Sequence, residues 1–147
     1  MPLKTPSASI EFHFMYPSAH PRQRRRLRSF LLELLRKEQT PVSSLSYIFC
    51  DDKFLLSINK QFLQHDYYTD IISFNLADKG LPVEGEIYIS VERVKDNATM
   101  AGEGFERELH RVIFHGALHL CGYKDKSKAQ KLVMTAMEDK YLKAYFR

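Results

Sequence analysis

The sequence predicts an α+β fold: a single compact domain in which a small mixed sheet of four strands is surrounded by helices. Short runs of alternating apolar and polar residues indicate strands, and longer runs with apolar residues three and four positions apart indicate helices. These segments follow the order strand, helix, strand, helix, two strands and then helices, which is typical of α+β or α/β proteins. Because 147 residues suit one hydrophobic core and are short for two, we expect residues 1–147 to form one domain.

The first half of the chain supplies two strands and two helices. Residues 10–16 alternate between large apolar side chains and Glu, His or Met, which predicts a half-buried strand. Four leucines and a phenylalanine within residues 27–35 form the apolar stripe of a helix whose arginines face outward. An apolar run at residues 45–50 predicts the second strand, and the two aspartates after it offer an N-cap to a helix ending near residue 62.

The second half supplies two more strands and three helices. Residues 70–76 and 85–91 are the predicted strands. A serine at position 90 caps a short helix, and a long helix with one buried side covers residues 105–120. The sequence Ser-Lys-Ala-Gln at residues 127–130 has the form of a capping box, so we expect the last helix to begin there and to end near residue 145.

Composition bounds the protein's location and partners. No apolar run approaches the ~18 residues of a membrane span, and the first nine residues lack the apolar core of a signal peptide, so we expect a cytoplasmic protein. Cys50 and Cys121 are too few for a disulfide framework, and we expect free thiols. The net charge of +4 suits an anionic partner without requiring one. Arginines at 22–28 and lysines at 124–131 form clusters that are either phosphate-binding or simply solvated.

Two histidines four residues apart are the main chemical signal. His115 and His119 should project from one helix face, roughly 6 Å apart, where two imidazoles can share one cation. Gly122 follows where helices often end in a left-handed residue, and it would turn Asp125 toward the same cation as a third ligand. Three ligands leave a position open for a water, which the metal makes nucleophilic. The pattern therefore favours hydrolysis, although such a pair is also common as packed or solvated residues.

The residue after the first histidine narrows the class of hydrolase that the pattern indicates. Zinc peptidases of the familiar type carry glutamate there as the general base, whereas this chain has Gly116. This argues against peptide hydrolysis by that mechanism. A glycine inside a helix costs roughly 1 kcal/mol relative to alanine, which suggests that another group approaches the backbone at this point.

Residues 115–123, with the sequence HGALHLCGY, resemble the HGxLHLxGYDH signature of the YbeY family of bacterial endoribonucleases, which are rRNA maturation factors. That family continues with Asp-His, whereas this chain continues with Lys124 and Asp125. The family's third ligand, a histidine, therefore falls on Asp125. Since aspartate also binds zinc through oxygen, the resemblance implies a zinc site with an altered charge.

The resemblance extends over about residues 45–142. TDIISF at residues 69–74 is similar to the family's TDVLSF strand, and GEIYIS at residues 85–90 is similar to GDIxIS. One departure is that the arginine usually found before the TDVLSF strand aligns with Leu63. In the family that arginine is a candidate for contacting phosphate or for stabilising the transition state. Further positions that match the family's pattern are Asn59, Phe62, Asp66, Met137 and Glu138.

The leading hypothesis is a zinc-dependent, single-strand-preferring endoribonuclease of ribosomal RNA maturation. One Zn²⁺ per chain would be held by His115, His119 and Asp125, and a metal-activated water would attack phosphorus. Ser73 and Lys124 are candidates for contacting phosphate, although a strand hydroxyl and a solvated surface lysine explain them equally well. The sequence shows no separate general base. The implied partner is ribosomal RNA, with the small ribosomal subunit as a candidate.

The alternative is an RNA-binding ribosome assembly protein without nuclease activity, in which the metal only holds the last two helices together. Leu63 and Asp125 are the features that favour it. A structural metal site closes with four protein ligands, whereas a catalytic one keeps a position for water, so the number of protein ligands distinguishes the two. A hydrolase acting on another small ester is a third, weaker hypothesis.

Overall fold

The structure, a computed structural model, describes residues 8–15 and 20–147. Within them the strands are β1 (Ser9–Phe14), β2 (Val42–Cys50), β3 (Ile71–Asn75) and β4 (Val83–Ser90). The helices are α1 (Arg24–Lys37), α2 (Asp52–Leu63), α3 (Val91–Ala101), α4 (Phe105–Leu120) and α5 (Lys128–Tyr145). Tyr16, which was predicted to continue the first strand, lies outside the described residues.

The four strands form one mixed sheet in the order β1-β2-β4-β3. β1 pairs with β2, and β2 pairs with β4, in parallel; Tyr47 of β2 lies opposite Phe12 on one side and Ile87 on the other. β3 runs antiparallel to β4 at the edge of the sheet, with Ile72 opposite Tyr88. The predicted α+β domain with a small mixed sheet is thereby confirmed.

Strand pairing moves two predicted boundaries. β2 begins at Val42 rather than at residue 45, and β4 begins at Val83 rather than at residue 85. The two early starts have one cause, because Val42 and Val83 are paired with each other. Ser44, opposite Glu84, therefore joins the strand through backbone pairing, and Ser43 lies at the register shift between the two pairs. Neither side chain gives a strand signal.

Local capping signals fix the beginnings of three helices, as predicted. The Asp51 carboxylate accepts a hydrogen bond from the Phe54 backbone N–H at 2.7 Å, and the Ser90 hydroxyl caps α3 in the same way. Ser127 and Gln130 form both halves of a capping box at the start of α5. Each of these bonds satisfies a backbone N–H that the helix leaves without a partner.

The two faces of the sheet are covered by different helices. Ile87 and Ile89 point into the main core, with buried leucines of α1 and α4, whereas the residue between them, Tyr88, packs with Ile72 in a smaller cluster under α2. This division follows from the alternation of side chains along a strand. A Cβ atom at Gly116 would lie 2.9 Å from a methyl carbon of Ile87. The group that approaches the backbone of α4 at this glycine is therefore the sheet itself.

The N-terminal arginines take part in packing. The Arg26 guanidinium lies 4.1 Å from the ring centroid of Tyr145, and that of Arg28 lies 5.4 Å from the ring centroid of Phe12. These cation–π contacts join α1 to the last helix and to the first strand. Arg26 and Arg28 of the arginine cluster therefore stabilise the packing of α1.

Two further observations concern expectations from composition. Cys50 and Cys121 are both free thiols, as predicted. Among the described residues, no helix has the combination of length and apolar character that crossing a lipid bilayer demands.

Candidate functional site

A cavity of about 530 Å³ contains most of the predicted site residues. Its walls come from α2, the segment between α2 and β3, β3, α4, α5 and the loop that joins the last two helices. The structure brings together here His115, His119, Asp125 and Ser73. Their roles as metal ligands and as a phosphate contact remain predictions. The contacts of each side chain determine which of these roles it can take.

Helix α4 places the two histidines, and its end places the aspartate. The rings of His115 and His119 lie on one side of the helix with centroids 6.3 Å apart and planes 10° from parallel. After the helix, Gly122 has φ of 106°, a backbone conformation that side chains other than hydrogen rarely permit. The Tyr123 N–H donates back to the Leu118 carbonyl at 3.1 Å, which turns the chain so that Asp125 faces the cavity.

Each histidine is oriented by an acceptor on its Nδ1 atom. His115 Nδ1 donates to the Glu138 carboxylate at 2.6 Å, and His119 Nδ1 donates to the Tyr123 carbonyl at 2.9 Å. Metal-binding histidines in proteins have this arrangement, because an acceptor on one ring nitrogen leaves the lone pair on the other. Both Nε2 atoms are therefore the ones available to a ligand.

One pair of the predicted ligands has the donor-atom spacing that a bound metal ion requires. His115 Nε2 and an Asp125 carboxylate oxygen are 3.3 Å apart, close to the separation of about 3.4 Å that two tetrahedral zinc ligands with ordinary bond lengths require. Within residues 8–15 and 20–147, however, no three side chains of His, Cys, Asp or Glu are close enough together to hold a metal ion. The donor chemistry and the His115–Asp125 pair thus fit Zn²⁺, whereas the set including His119 is not closed around a common point.

Carboxylates dominate the electrostatics around His115. Burial lowers the pKa of this imidazole, but the hydrogen bond that it donates to Glu138 and the negative charges of Glu138, Asp125 and Asp70 outweigh that effect, so the pKa is raised. Burial also raises the pKa of Asp70 and, with partial compensation from a nearby arginine, that of Glu108. Both of these carboxyl groups line the cavity, and neither was singled out from the sequence as a site residue.

One buried carboxylate accepts hydrogen bonds from two residues that line the cavity. Glu138, only 7% exposed, binds His115 through one oxygen and accepts from Arg111 Nη1 through the other at 3.2 Å. Arg111 also contacts Asp139 at 2.9 Å. Glu138 and Arg111 were missed as functional residues; the signal for Glu138 was its place in the last helix, where the resembling family also has glutamate.

The loop that carries Asp125 is fastened to the N-terminal half of the chain. The Tyr123 hydroxyl donates to the Glu38 carboxylate at 2.7 Å, and the Tyr141 hydroxyl donates to the same carboxylate. The hydrogen bond to Glu38, with burial, raises the pKa of Tyr123 to about 12. This tyrosine therefore orients His119 with its carbonyl while its side chain anchors the loop.

The remaining predicted residues divide between two cavities. Ser73 lines the site cavity, and so does Leu63, which stands where an arginine was expected. Lys124 does not; it lines a smaller, separate cavity next to Gly122. Its neighbour Lys126 is the lysine that reaches the site. Among the described residues that line the site cavity, the permanently positive side chains are Arg111 and Lys126.

Comparison with known proteins places the chain in the nuclease class of hydrolases. The family model described as Endoribonuclease YbeY matches residues 16–146, and the chain belongs to this family. The resemblance predicted from about residues 45–142 is confirmed, and the match also includes the first helix.

Relatives and a solved structure agree with this assignment. The Endoribonuclease YbeY of Cytophaga hutchinsonii is 49% identical over 118 residues, which cover 80% of this chain and 82% of that protein. The Endoribonuclease YbeY of Porphyromonas gingivalis strain W83 is 46% identical over 123 residues, which cover 83% of this chain and 81% of that protein. The solution structure of TM1509 from Thermotoga maritima matches with a TM-score of 0.60 at 27% identity, over 95% of this chain and 89% of that one.

Proposed function

We propose that this chain is a zinc-dependent endoribonuclease that cleaves unpaired strands during ribosomal RNA maturation. The observation that carries the proposal is the geometry of His115, whose Nε2 lies 3.3 Å from an Asp125 oxygen while its Nδ1 is held by Glu138. This is the arrangement of an oriented metal ligand, and it lies in an open cavity of a chain from the Endoribonuclease YbeY family.

His115 and His119 would hold Zn²⁺ through Nε2, and Asp125 through its carboxylate. When bound, the ion supplies Lewis acidity, which polarises a phosphoryl oxygen and lowers the pKa of a water. The charge of the cavity supports a cation here: among the lining residues that the structure describes, carboxylates at positions 70, 108, 125 and 138 outnumber the one arginine and one lysine. A divalent ion would offset that excess where an anionic RNA strand has to approach.

Several side chains of the cavity are suited to hold the RNA backbone. Arg111 and Lys126 supply positive charge, and the Ser73 hydroxyl is a neutral donor on β3. We propose that these three contact phosphate oxygens. Arg111 is held by Glu138 and Asp139, so its guanidinium is already positioned before RNA binds. Lys124, in the neighbouring cavity, is proposed to contact phosphate farther along the strand.

We further propose that the substrate is ribosomal RNA and that the protein acts in the cytoplasm, on the small ribosomal subunit or its precursors. The names of the relatives support an RNA substrate, since each is an endoribonuclease. The net charge of +4 is compatible with it.

Elemental analysis combined with a cleavage assay tests this proposal. The protein is expected to contain one zinc per chain and to cleave a single-stranded RNA oligonucleotide faster than a duplex of the same sequence. A chelator should stop cleavage, and added Zn²⁺ should restore it. His119→Ala should lose both the metal and the activity, because a lost ligand removes binding free energy. His13→Ala is the matched control, since His13 is exposed on β1, outside the cavity.

Two results would contradict the proposal in different ways. Cleavage that persists in chelator, by protein shown to be free of metal, would remove the zinc dependence. Tight, metal-dependent RNA binding with no cleavage of any RNA tested would instead support the assembly-protein alternative.

A further inference from the structure

We infer that the exposed pair His65 and Tyr67, at the rim of the site cavity, is a stacking platform for one unpaired RNA base beside the bond that is cleaved. This inference rests on the proposed function. It adds a contact to an RNA base to the phosphate contacts proposed above.

The two rings form a ready-made aromatic surface. Their centroids are 5.0 Å apart and their planes are 20° from parallel. A hydrogen bond of 2.9 Å also joins the Tyr67 hydroxyl to His65 Nδ1. Both residues line the same cavity as His115 and Asp125, and Tyr67 is 56% exposed. The pair is therefore an exposed aromatic surface in the same cavity as the candidate metal ligands.

A buried asparagine holds this segment in place from both ends. Asn59, only 1% exposed, accepts a hydrogen bond from the His65 backbone N–H through its carbonyl, at 3.1 Å. Its side-chain amide donates to the Tyr67 carbonyl at 2.8 Å. The backbone that carries the pair is thus fixed before any ligand arrives, so little ordering entropy would be lost on binding.

An unpaired base is the ligand that suits such a surface. Every base has a π-face, and stacking on an aromatic side chain is worth about 1–3 kcal/mol per base, which corresponds to a factor of about 5 to 150 in Kd. Bases inside a duplex are already stacked and cannot reach the pair. The platform would therefore favour single strands with little sequence preference, beside a site that acts on the backbone.

The adjacent Tyr68 provides a matched control. It is 55% exposed, almost the same as Tyr67, but it does not line the cavity. Its ring instead lies 5.3 Å from the Arg93 guanidinium. Replacing either tyrosine with leucine removes the same ring from a similarly exposed position, so a difference between the two variants reports on the cavity.

Fluorescence of 2-aminopurine in single-stranded RNA oligonucleotides tests the inference, and the chain contains no tryptophan to interfere. The probe should be quenched when the wild-type protein stacks on it. Tyr67→Leu should lose the quenching and raise Kd about 5- to 150-fold. Tyr67→Phe should keep the quenching, and Tyr68→Leu should bind like the wild type. A circular-dichroism melt of each variant establishes that it is folded.

An abasic position scanned along the oligonucleotide provides a second arm that needs only the wild-type protein. At one position, loss of the base should weaken wild-type binding by the same factor as Tyr67→Leu, and the two changes together should cost no more than either alone. If wild-type protein cleaves single-stranded RNA while Tyr67→Leu binds it equally well, the platform is refuted and the proposed function stands. If the wild type neither binds nor cleaves RNA, the proposed function fails, and the inference fails with it.

Discussion

Replacing Glu138 with glutamine should separate the orientation of His115 from the identity of the ligands themselves. The buried carboxylate accepts from His115 Nδ1 at 2.6 Å and from Arg111 at 3.2 Å. Glutamine has nearly the same shape but a single oxygen, so it can satisfy one of these donors and must turn an N–H₂ group toward the other. The variant therefore keeps all three proposed ligands and disturbs only how one of them is held.

The magnitudes follow from the loss of one charge-assisted hydrogen bond in a mostly buried place. Loss of such a partner costs about 1–3 kcal/mol, and each kcal/mol lowers Tm by about 2–4 °C in a chain of this size. Arg111 keeps Asp139 as a partner, at 2.9 Å, which favours the lower end of that range. Removal of an outer-shell carboxylate typically weakens metal binding about 10- to 100-fold, and we expect Glu138→Gln to fall in this interval.

Competition between the protein and a chromogenic chelator for Zn²⁺ gives the affinity, and a melt in the presence of chelator gives the stability of the metal-free chain. Asp139→Asn is the control, because it removes the negative charge of the other partner of Arg111 and leaves the bond from His115 to Glu138 intact. Should Glu138→Gln bind Zn²⁺ as tightly as the wild type, or should Asp139→Asn lose the same affinity, the orientation of His115 by Glu138 would have no part in metal binding.

Three further predictions concern the loop after α4. Asp125→Ala should weaken Zn²⁺ binding at least about 100-fold, which is more than the loss of a residue that only contacts a ligand. Asp125→His should retain the metal. Equal Zn²⁺ affinity in the alanine variant and the wild type would exclude Asp125 as a ligand. Lys126→Ala should lower the slope of log Kd against log salt for single-stranded RNA by about one. Lys124→Ala should change that slope less, and the reverse order would show that Lys124 is the closer phosphate contact. Gly122→Ala should lower the free energy of unfolding by about 1–2 kcal/mol, because φ at Gly122 is 106°. Gly104→Ala, at φ of −68°, should lower it by less than half as much. Thermal melts of both variants measure the difference.

Helix ends could be predicted from the sequence because the devices that make them are local. The bonds of Ser127 and Gln130 join groups three residues apart, and the left-handed conformation of Gly122 depends only on its lack of a side chain. The same holds for the separation of His115 and His119, which the helix repeat sets. These local features fixed where three helices begin and where the site lies, whereas the fold class followed from the order of the predicted strands and helices.

The partners of the site residues could not be predicted in this way. Glu138 lies 23 residues from His115 on a different helix, and no local pattern in either helix indicates that they meet. Asp70 and Glu108 enter the cavity only because β3 pairs with β4 at the sheet edge while α4 packs across it. Lys124 and Lys126 lie in the same loop, but they line separate cavities, and no local pattern in the sequence indicates this division.

The bond from Tyr123 to Glu38 joins segments that are 85 residues apart in the chain. Glu38 directly follows α1, so the position of the loop that carries Asp125 depends on whether that helix is docked on the sheet. Opening of this junction would release the loop and the carbonyl that orients His119, without any change in α4. Amide hydrogen exchange of residues 121–125 should therefore occur together with exchange at the end of α1, as one cooperative unit. A substitution at Glu38, outside the cavity, would then alter how often the site is intact rather than how it works when formed.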